Sequence, residues 1–84
     1  MGQKEKLIQK LKSLPKDMTF DELSALLSYL GYHPENKGKT SGSRVIFKRT
    51  GYASISFHKP HPQNELPVYV VKNVLLTLKK DGLI

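Results

Sequence analysis

The sequence predicts an α+β fold, in which helices flank a three-stranded antiparallel sheet. Three features support this fold class. The 84 residues are enough for one small domain. Apolar residues recur with helical spacing near both ends of the chain, and apolar and polar residues alternate in the middle. The expected order of elements is therefore helix, helix, three strands, helix.

The first helix is predicted close to the N-terminus. Apolar residues recur there with the spacing of one helical face, and lysines occupy the other side. Pro15 is expected to end this helix soon after its last apolar residue, because proline cannot continue the hydrogen-bond ladder. The apolar positions are Leu7, Ile8, Leu11 and Leu14.

The second helix has sharper boundaries. Thr19 is followed three residues later by Glu22, which is the pattern of a capping box at a helix start. Gly31 is placed to end the helix in a left-handed conformation. Between these boundaries the apolar face consists of Phe20, Leu23, Leu27 and Leu30, flanked by Leu26.

Three strands are predicted in the middle of the chain. Residues 32–35 form a short edge strand, because Pro34 cannot donate a ladder hydrogen bond. Residues 44–48 and 53–57 form a hairpin, and residues 49–52 between them contain a glycine suited to the loop. Alternation places two sets of side chains on opposite faces. On the second strand Val45 and Phe47 share one face, and Arg44, Ile46 and Lys48 share the other. On the third strand Ile55 and Phe57 point one way, and Ser54, Ser56 and His58 the other.

The C-terminal segment predicts a third helix from Leu66 and Pro67 onward. Pro67 suits the first helical turn, and two lysines followed by Gly82 suit the end. Several β-branched residues lower the intrinsic helix propensity, so packing on the sheet is needed to support this helix. Its apolar face consists of Val71, Val74, Leu75 and Leu78.

The charge balance favours a polyanionic partner. Fourteen basic residues against seven acidic ones give a net charge of +7, which is common in nucleic-acid-binding proteins. A domain that is merely rich in lysine would show the same composition. The distribution favours one basic surface, because between Pro34 and Pro60 Glu35 is the only acidic residue. The basic residues there are Lys37, Lys39, Arg44, Lys48, Arg49 and Lys59.

Other classes of protein fit the composition less well. The chain has no cysteine, so we expect neither disulfides nor a thiolate zinc site. No segment approaches the roughly 20 apolar residues of a membrane span. We therefore expect a soluble cytoplasmic protein without a membrane partner.

Two histidines stand where the third strand ends, in the segment SISFHKPHPQN. His58 is expected to face solvent, where an imidazole can exchange a proton near neutral pH. Lys59 beside it would attract a phosphate, and His61 is held between two prolines. One useful role is acid–base catalysis when a ribose 2′-hydroxyl attacks the adjacent phosphodiester. The alternative is a polar strand end that happens to contain histidine.

A metal site is not expected in this segment. His58 and His61 would supply two imidazole ligands on extended backbone, with no cysteine and few carboxylates nearby. We therefore expect no cofactor.

The basic turn before the second strand is a second candidate site, since charge, hydroxyls and small residues suit phosphate contacts. A solvated loop has the same composition. Its residues are Lys37, Lys39, Thr40, Ser41, Gly42 and Ser43.

Several motifs together resemble the HicA family of toxins. They are GSRVIF at 42–47, ISFH at 55–58, NEL at 64–66 and KKDGLI at 79–84. The resemblance covers residues 19–84 and leaves residues 1–18 as an N-terminal helical extension. It implies a double-stranded-RNA-binding-like fold of a helix, three antiparallel strands and a second helix. It also implies a ribosome-independent mRNA interferase that is neutralised by a HicB-type antitoxin covering the active site.

The sequence departs from the family pattern at Arg44. The family usually has a catalytic histidine after the Gly-Ser pair, at the start of the second strand, and arginine cannot transfer a proton at neutral pH. Arginine can instead hold a phosphate and stabilise a transition state. Three outcomes are compatible with this change. His58 or His61 takes over proton transfer, the protein cleaves weakly through electrostatics, or it binds RNA without cutting it.

Three functions therefore follow from the sequence. The first is a metal-independent endoribonuclease that uses His58 and Arg44 for catalysis. In this hypothesis the substrate RNA is held by Lys37, Lys39, Ser43, Lys48, Lys59 and His61. The second is a module that binds RNA by its shape and phosphates without cleaving it. The third is an interaction domain whose basic face docks an acidic protein, such as an antitoxin.

Overall fold

The computed structural model describes residues 2–35, 44–60 and 64–84. The described part contains three helices and one antiparallel sheet with strand order β1-β2-β3. This architecture confirms the predicted α+β fold and its order of elements. The elements are α1 (Gln3–Lys12), α2 (Phe20–Tyr29), β1 (His33–Glu35), β2 (Arg44–Lys48), β3 (Ile55–His58) and α3 (Val68–Lys80).

The core lies on one face of the sheet. Phe47 and Phe57 stack with ring centroids 5.4 Å apart, and Phe20 at the start of α2 meets Phe57 edge-on at 5.5 Å. Helical side chains complete the same hydrophobic cluster. They include Leu7 and Leu11 of α1, Leu23, Leu26 and Leu27 of α2, and Val71, Val74, Leu75 and Leu78 of α3. The opposite face of β2 and β3 carries Arg44, Lys48, Ser56 and His58, with the half-buried Ile46 among them.

The predicted boundaries of α2 are confirmed. The Glu22 N–H donates to Thr19 Oγ1 at 3.1 Å, and the Thr19 N–H donates to the Glu22 carboxylate at 2.9 Å. At the other end, Gly31 adopts a φ of 91°. This left-handed conformation lets the Tyr32 N–H donate to the Leu27 carbonyl at 2.9 Å. The reciprocal cap and the glycine therefore satisfy backbone groups that would otherwise lack partners.

Glu22 also ties α1 to α2. Lys10 of α1 donates to both carboxylate oxygens of Glu22, at 2.9 and 2.8 Å. Partial burial of the Glu22 carboxyl opposes its ionisation, but the hydrogen bonds from Lys10 and Thr19 outweigh this and lower its pKa. The hydrogen bond to Glu22 raises the pKa of Lys10. The pair supports the packing of α1, whose Leu7 and Leu11 are buried.

Arg49 has a structural role in the hairpin. Its guanidinium donates to the carbonyl of Leu30 at 2.7 Å, and it lies 4.4 Å from the ring centroid of Tyr52. The first contact satisfies a carbonyl at the end of α2, and the second fixes the loop before β3. Arg49 thereby joins the hairpin to α2 and is only half-exposed.

Several element boundaries differ from the sequence prediction. The third helix begins at Val68, with Pro67 as its N-cap. The Leu66 N–H donates to the Met18 carbonyl at 2.8 Å, so this residue is held in an extended segment and cannot join the helix. The third strand spans Ile55–His58 instead of residues 53–57, and the first begins at His33 instead of residue 32. The described residues contain no helix with the length and apolar character needed to span a membrane.

The Lys10–Glu22 pair predicts a pH-dependent contribution to stability. We expect Glu22→Gln to lower the free energy of unfolding by about 1 kcal/mol at neutral pH, because it removes a charge-assisted hydrogen bond. The lowered carboxylate pKa means that this contribution is present above the ordinary value of 4.5 and is lost as the pH falls below it. Urea unfolding at several pH values tests this, with exposed Asp21→Asn as control. An equal deficit at pH 7 and below Glu22's folded-state pKa would contradict it.

Candidate functional site

The polar face of the β2–β3 hairpin brings Arg44 and His58 together. Arg44 lies directly opposite His58 in the antiparallel register, and Ile46 lies opposite Ser56. Directly opposed residues have Cβ atoms about 4.5–5.5 Å apart. The guanidinium of Arg44 donates to Ser56 Oγ at 3.1 Å, so it lies along β3 towards the middle of the strand. We call Arg44, Ser56 and His58 the outer-face cluster.

His58 is accessible for chemistry. Its side chain is exposed at the end of β3, whereas its neighbour Phe57 is buried. Within the described ranges, no hydrogen bond or ion pair engages the imidazole. As far as the described residues are concerned, both ring nitrogens are open to a ligand. A rigid strand holds them, because Phe57 is packed against two other phenylalanine rings.

Arg44 is also exposed, and its charge is not neutralised by a carboxylate in the described residues. A guanidinium carries five N–H donors in a planar fork, and one hydrogen bond to Ser56 leaves several of them available. The sequence from residue 44 to residue 60 contains no acidic residue. The electrostatic environment of the cluster is therefore positive and suits a phosphate.

The remaining predicted site residues differ in position. Lys59 is exposed next to His58, and its Nζ lies 5.6 Å from the ring centroid of Phe20. Lys48 lies at the other end of β2, where it pairs with Glu35 at 3.3 Å. Four residues of strand separate Lys48 from Arg44 by about 13 Å. Lys37, Lys39, Ser43 and His61 lie outside the described residues.

A groove runs beside His58, between β3 and α3. Its volume is about 450 Å³, and His58, Ser54 and Ser56 form part of one wall. Apolar residues of the strand and helix line its base, and Pro60 and Pro67 border it. The helix contributes Tyr69, Val70, Asn73, Val74 and Thr77. His58 therefore belongs both to the outer-face cluster and to this β3–α3 groove.

The sequence prediction missed the contribution of α3 to this site. Tyr69, Asn73 and Thr77 recur every four residues, which places them on one helical face beside the apolar one. The spacing of one aromatic and two polar residues was the sequence signal that could have indicated a binding face on α3. Nothing local in the sequence indicated that β3 would lie next to that face.

The two arginines of the hairpin are expected to respond differently to truncation. Arg49→Ala should lower the free energy of unfolding by about 1–3 kcal/mol, because it leaves the Leu30 carbonyl without its donor. Arg44→Ala should change it by less than about 0.5 kcal/mol, since Arg44 is exposed. Denaturant unfolding of both variants measures this contrast. Equal losses of stability would contradict the assignment of separate roles.

Comparison with known proteins identifies the family. A family model described as the HicA toxin of bacterial toxin–antitoxin systems matches residues 20–83. Comparisons with curated proteins and with solved structures give no significant match. The matched range includes α2, the whole sheet and α3, and therefore the outer-face cluster and the groove. The chain belongs to the HicA family of toxins, which implies an antitoxin as its partner.

Proposed function

We propose that the protein is a metal-independent endoribonuclease that cleaves mRNA in the cytoplasm. The observation that carries this proposal is the pairing of Arg44 with His58 across β2 and β3. One residue supplies a permanent positive charge, and the other supplies an imidazole that can accept and donate a proton. Acid–base catalysis and charge stabilisation both assist phosphodiester cleavage without a metal ion, and family membership supports a toxic activity of this kind.

The chemistry begins at a ribose 2′-hydroxyl. His58 accepts the hydroxyl proton while the 2′-oxygen attacks the adjacent phosphorus atom. The bond between phosphorus and the 5′-oxygen of the next nucleotide breaks, which leaves a 2′,3′-cyclic phosphate. The leaving 5′-oxygen gains a proton and becomes a hydroxyl. His58 can return the proton that it accepted, so one imidazole balances the reaction.

Arg44 stabilises the charge that develops on phosphorus. Two of its N–H groups can hold the non-bridging phosphate oxygens, where negative charge increases in the transition state. Ser56 holds the guanidinium through the hydrogen bond at 3.1 Å, which reduces the freedom that arginine would lose on binding. This gives Ser56 a positioning role towards Arg44.

The surrounding basic residues are proposed to bind the RNA backbone. Lys59 is exposed and follows His58 in the sequence, and its Nζ has to turn away from the Phe20 ring to reach a phosphate at the cluster. Lys48 would contact phosphate farther along the strand, in competition with Glu35. We extend the same proposal to Lys37, Lys39, Ser43 and His61 on the basis of sequence alone. An antitoxin that covers this surface would present acidic groups to it.

His58→Ala is expected to abolish cleavage of a labelled RNA in the presence of EDTA, because the proton acceptor is removed. The matched control is His33→Ala, since His33 is also an exposed strand histidine but lies opposite Lys48, away from the cluster. Circular dichroism checks that both variants are folded. Cleavage by folded His58→Ala at the rate of the wild type would overturn the assignment of His58.

Arg44→Ala is expected to lower kcat by about 10²–10³-fold, the usual effect of removing one transition-state donor. Arg44→Lys should recover part of this loss, because it keeps the charge but not the planar fork. Single-turnover cleavage measures both rates. If Arg44→Ala weakens RNA binding but leaves the cleavage rate of bound RNA unchanged, Arg44 serves binding alone.

RNA binding without cleavage is the second candidate function. Arg44 favours it, because a group that is always protonated can hold phosphate but cannot move a proton. This candidate requires salt-sensitive RNA binding with no products from the wild-type protein. Metal-independent products that disappear in His58→Ala would exclude it.

A further inference from the structure

The β3–α3 groove has features of a binding site for a flat aromatic ligand. Tyr69 on its helical wall is 68% exposed, in contrast to Tyr32, which is buried in the core. Single-stranded nucleic acids are bound largely by stacking of bases on such exposed aromatic rings. The groove volume of about 450 Å³ lies within the range of small-ligand pockets, about 300–1,000 Å³.

The groove also offers polar groups for the edge of a base. The Asn73 amide provides both donors and an acceptor, and in the described part of the chain no partner engages it. Thr77 Oγ1 donates to the Asn73 carbonyl at 3.0 Å, so its lone pairs remain as acceptors. Ser54 adds a further hydroxyl on the strand side. This mixture of an aromatic ring with a few polar groups suits a nucleobase.

We propose that the β3–α3 groove binds one unpaired base of the RNA, with Tyr69 as its stacking platform and Asn73 as its hydrogen-bonding partner. The inference rests on the proposed function, because it assumes an RNA substrate. His58 lines the groove, so a base bound there brings its own ribose and phosphate to the outer-face cluster. A base inside a duplex cannot stack on Tyr69 without leaving its partner, so the substrate is single-stranded at this position.

Charge favours RNA over a neutral peptide as the occupant. His58 lines the groove, Arg44 lies opposite His58 across β2 and β3, and no acidic residue is present between residues 44 and 60. A nucleotide has an aromatic base for Tyr69 and a phosphate for this basic end. A neutral extended peptide would fill the groove without using the adjacent charge.

The test compares two uncleavable single strands of about ten nucleotides, a length suited to a small binding domain. One carries 2′-O-methyl riboses and all its bases, and the other has the same phosphates but is abasic throughout. Fluorescence anisotropy measures the binding of each strand to the wild type, Tyr69→Ala and Tyr69→Phe. Tyr29→Ala is the matched control, because Tyr29 is also exposed but lies on α2 and outside the groove.

Tyr69→Ala should weaken binding of the strand with bases by about tenfold, the effect of losing one stacked base. Tyr69→Phe and Tyr29→Ala should bind like the wild type, and Tyr69→Ala should not alter binding of the abasic strand. Unchanged binding of the strand with bases by Tyr69→Ala would overturn the inference and leave the proposed function intact. Failure of the wild type to bind either strand would overturn both. Loss of antitoxin binding in Tyr69→Ala with unchanged RNA binding would instead identify the groove as a protein-docking site.

Discussion

The register between β2 and β3 is the constraint on which the rest of the structure depends. Phe47, Ile55 and Phe57 are buried, and Phe57 contacts two other aromatic rings. A slip of one residue would turn β3 over, placing Phe57 in solvent and His58 in the core. The same burial therefore aligns Arg44 with His58 on the outside. The packing energy of a thin core is thus what holds the proposed catalytic pair in place.

Identical residue types serve different purposes in this hairpin. Arg49 reaches the Leu30 carbonyl, nineteen positions earlier in the chain, and stacks on Tyr52. Among the residues that the structure describes, Arg44 has one hydrogen bond, to an exposed serine. In the net charge the two arginines are equivalent. Of the two, however, Arg44 has N–H donors available for a phosphate, whereas Arg49 is engaged by Leu30 and Tyr52. The useful charge of the domain is therefore smaller and more localised than its composition indicates.

Sequence patterns predicted the features that depend on local structure. The Thr19–Glu22 cap and Gly31 determine α2 through contacts within a few residues, and alternation determines which face of β3 carries His58. The predicted start of α3 was wrong by two residues. The Leu66 N–H donates to the carbonyl of Met18, which is distant in sequence, and no local pattern indicates this contact. The β3–α3 groove was missed for the same reason. Two segments that are separated in sequence, β3 and α3, form it, and neither segment alone indicates that the other packs beside it.

The central claim is that a 2′-hydroxyl attacks phosphorus beside Arg44 and His58. Analysis of the RNA ends produced by the wild-type protein in EDTA tests this most directly. The proposed chemistry predicts a 2′,3′-cyclic phosphate on one fragment and a 5′-hydroxyl on the other, with no reaction when the riboses are 2′-O-methylated. Fragments with a 3′-hydroxyl and a 5′-phosphate would contradict it, because they require attack by water in place of the ribose.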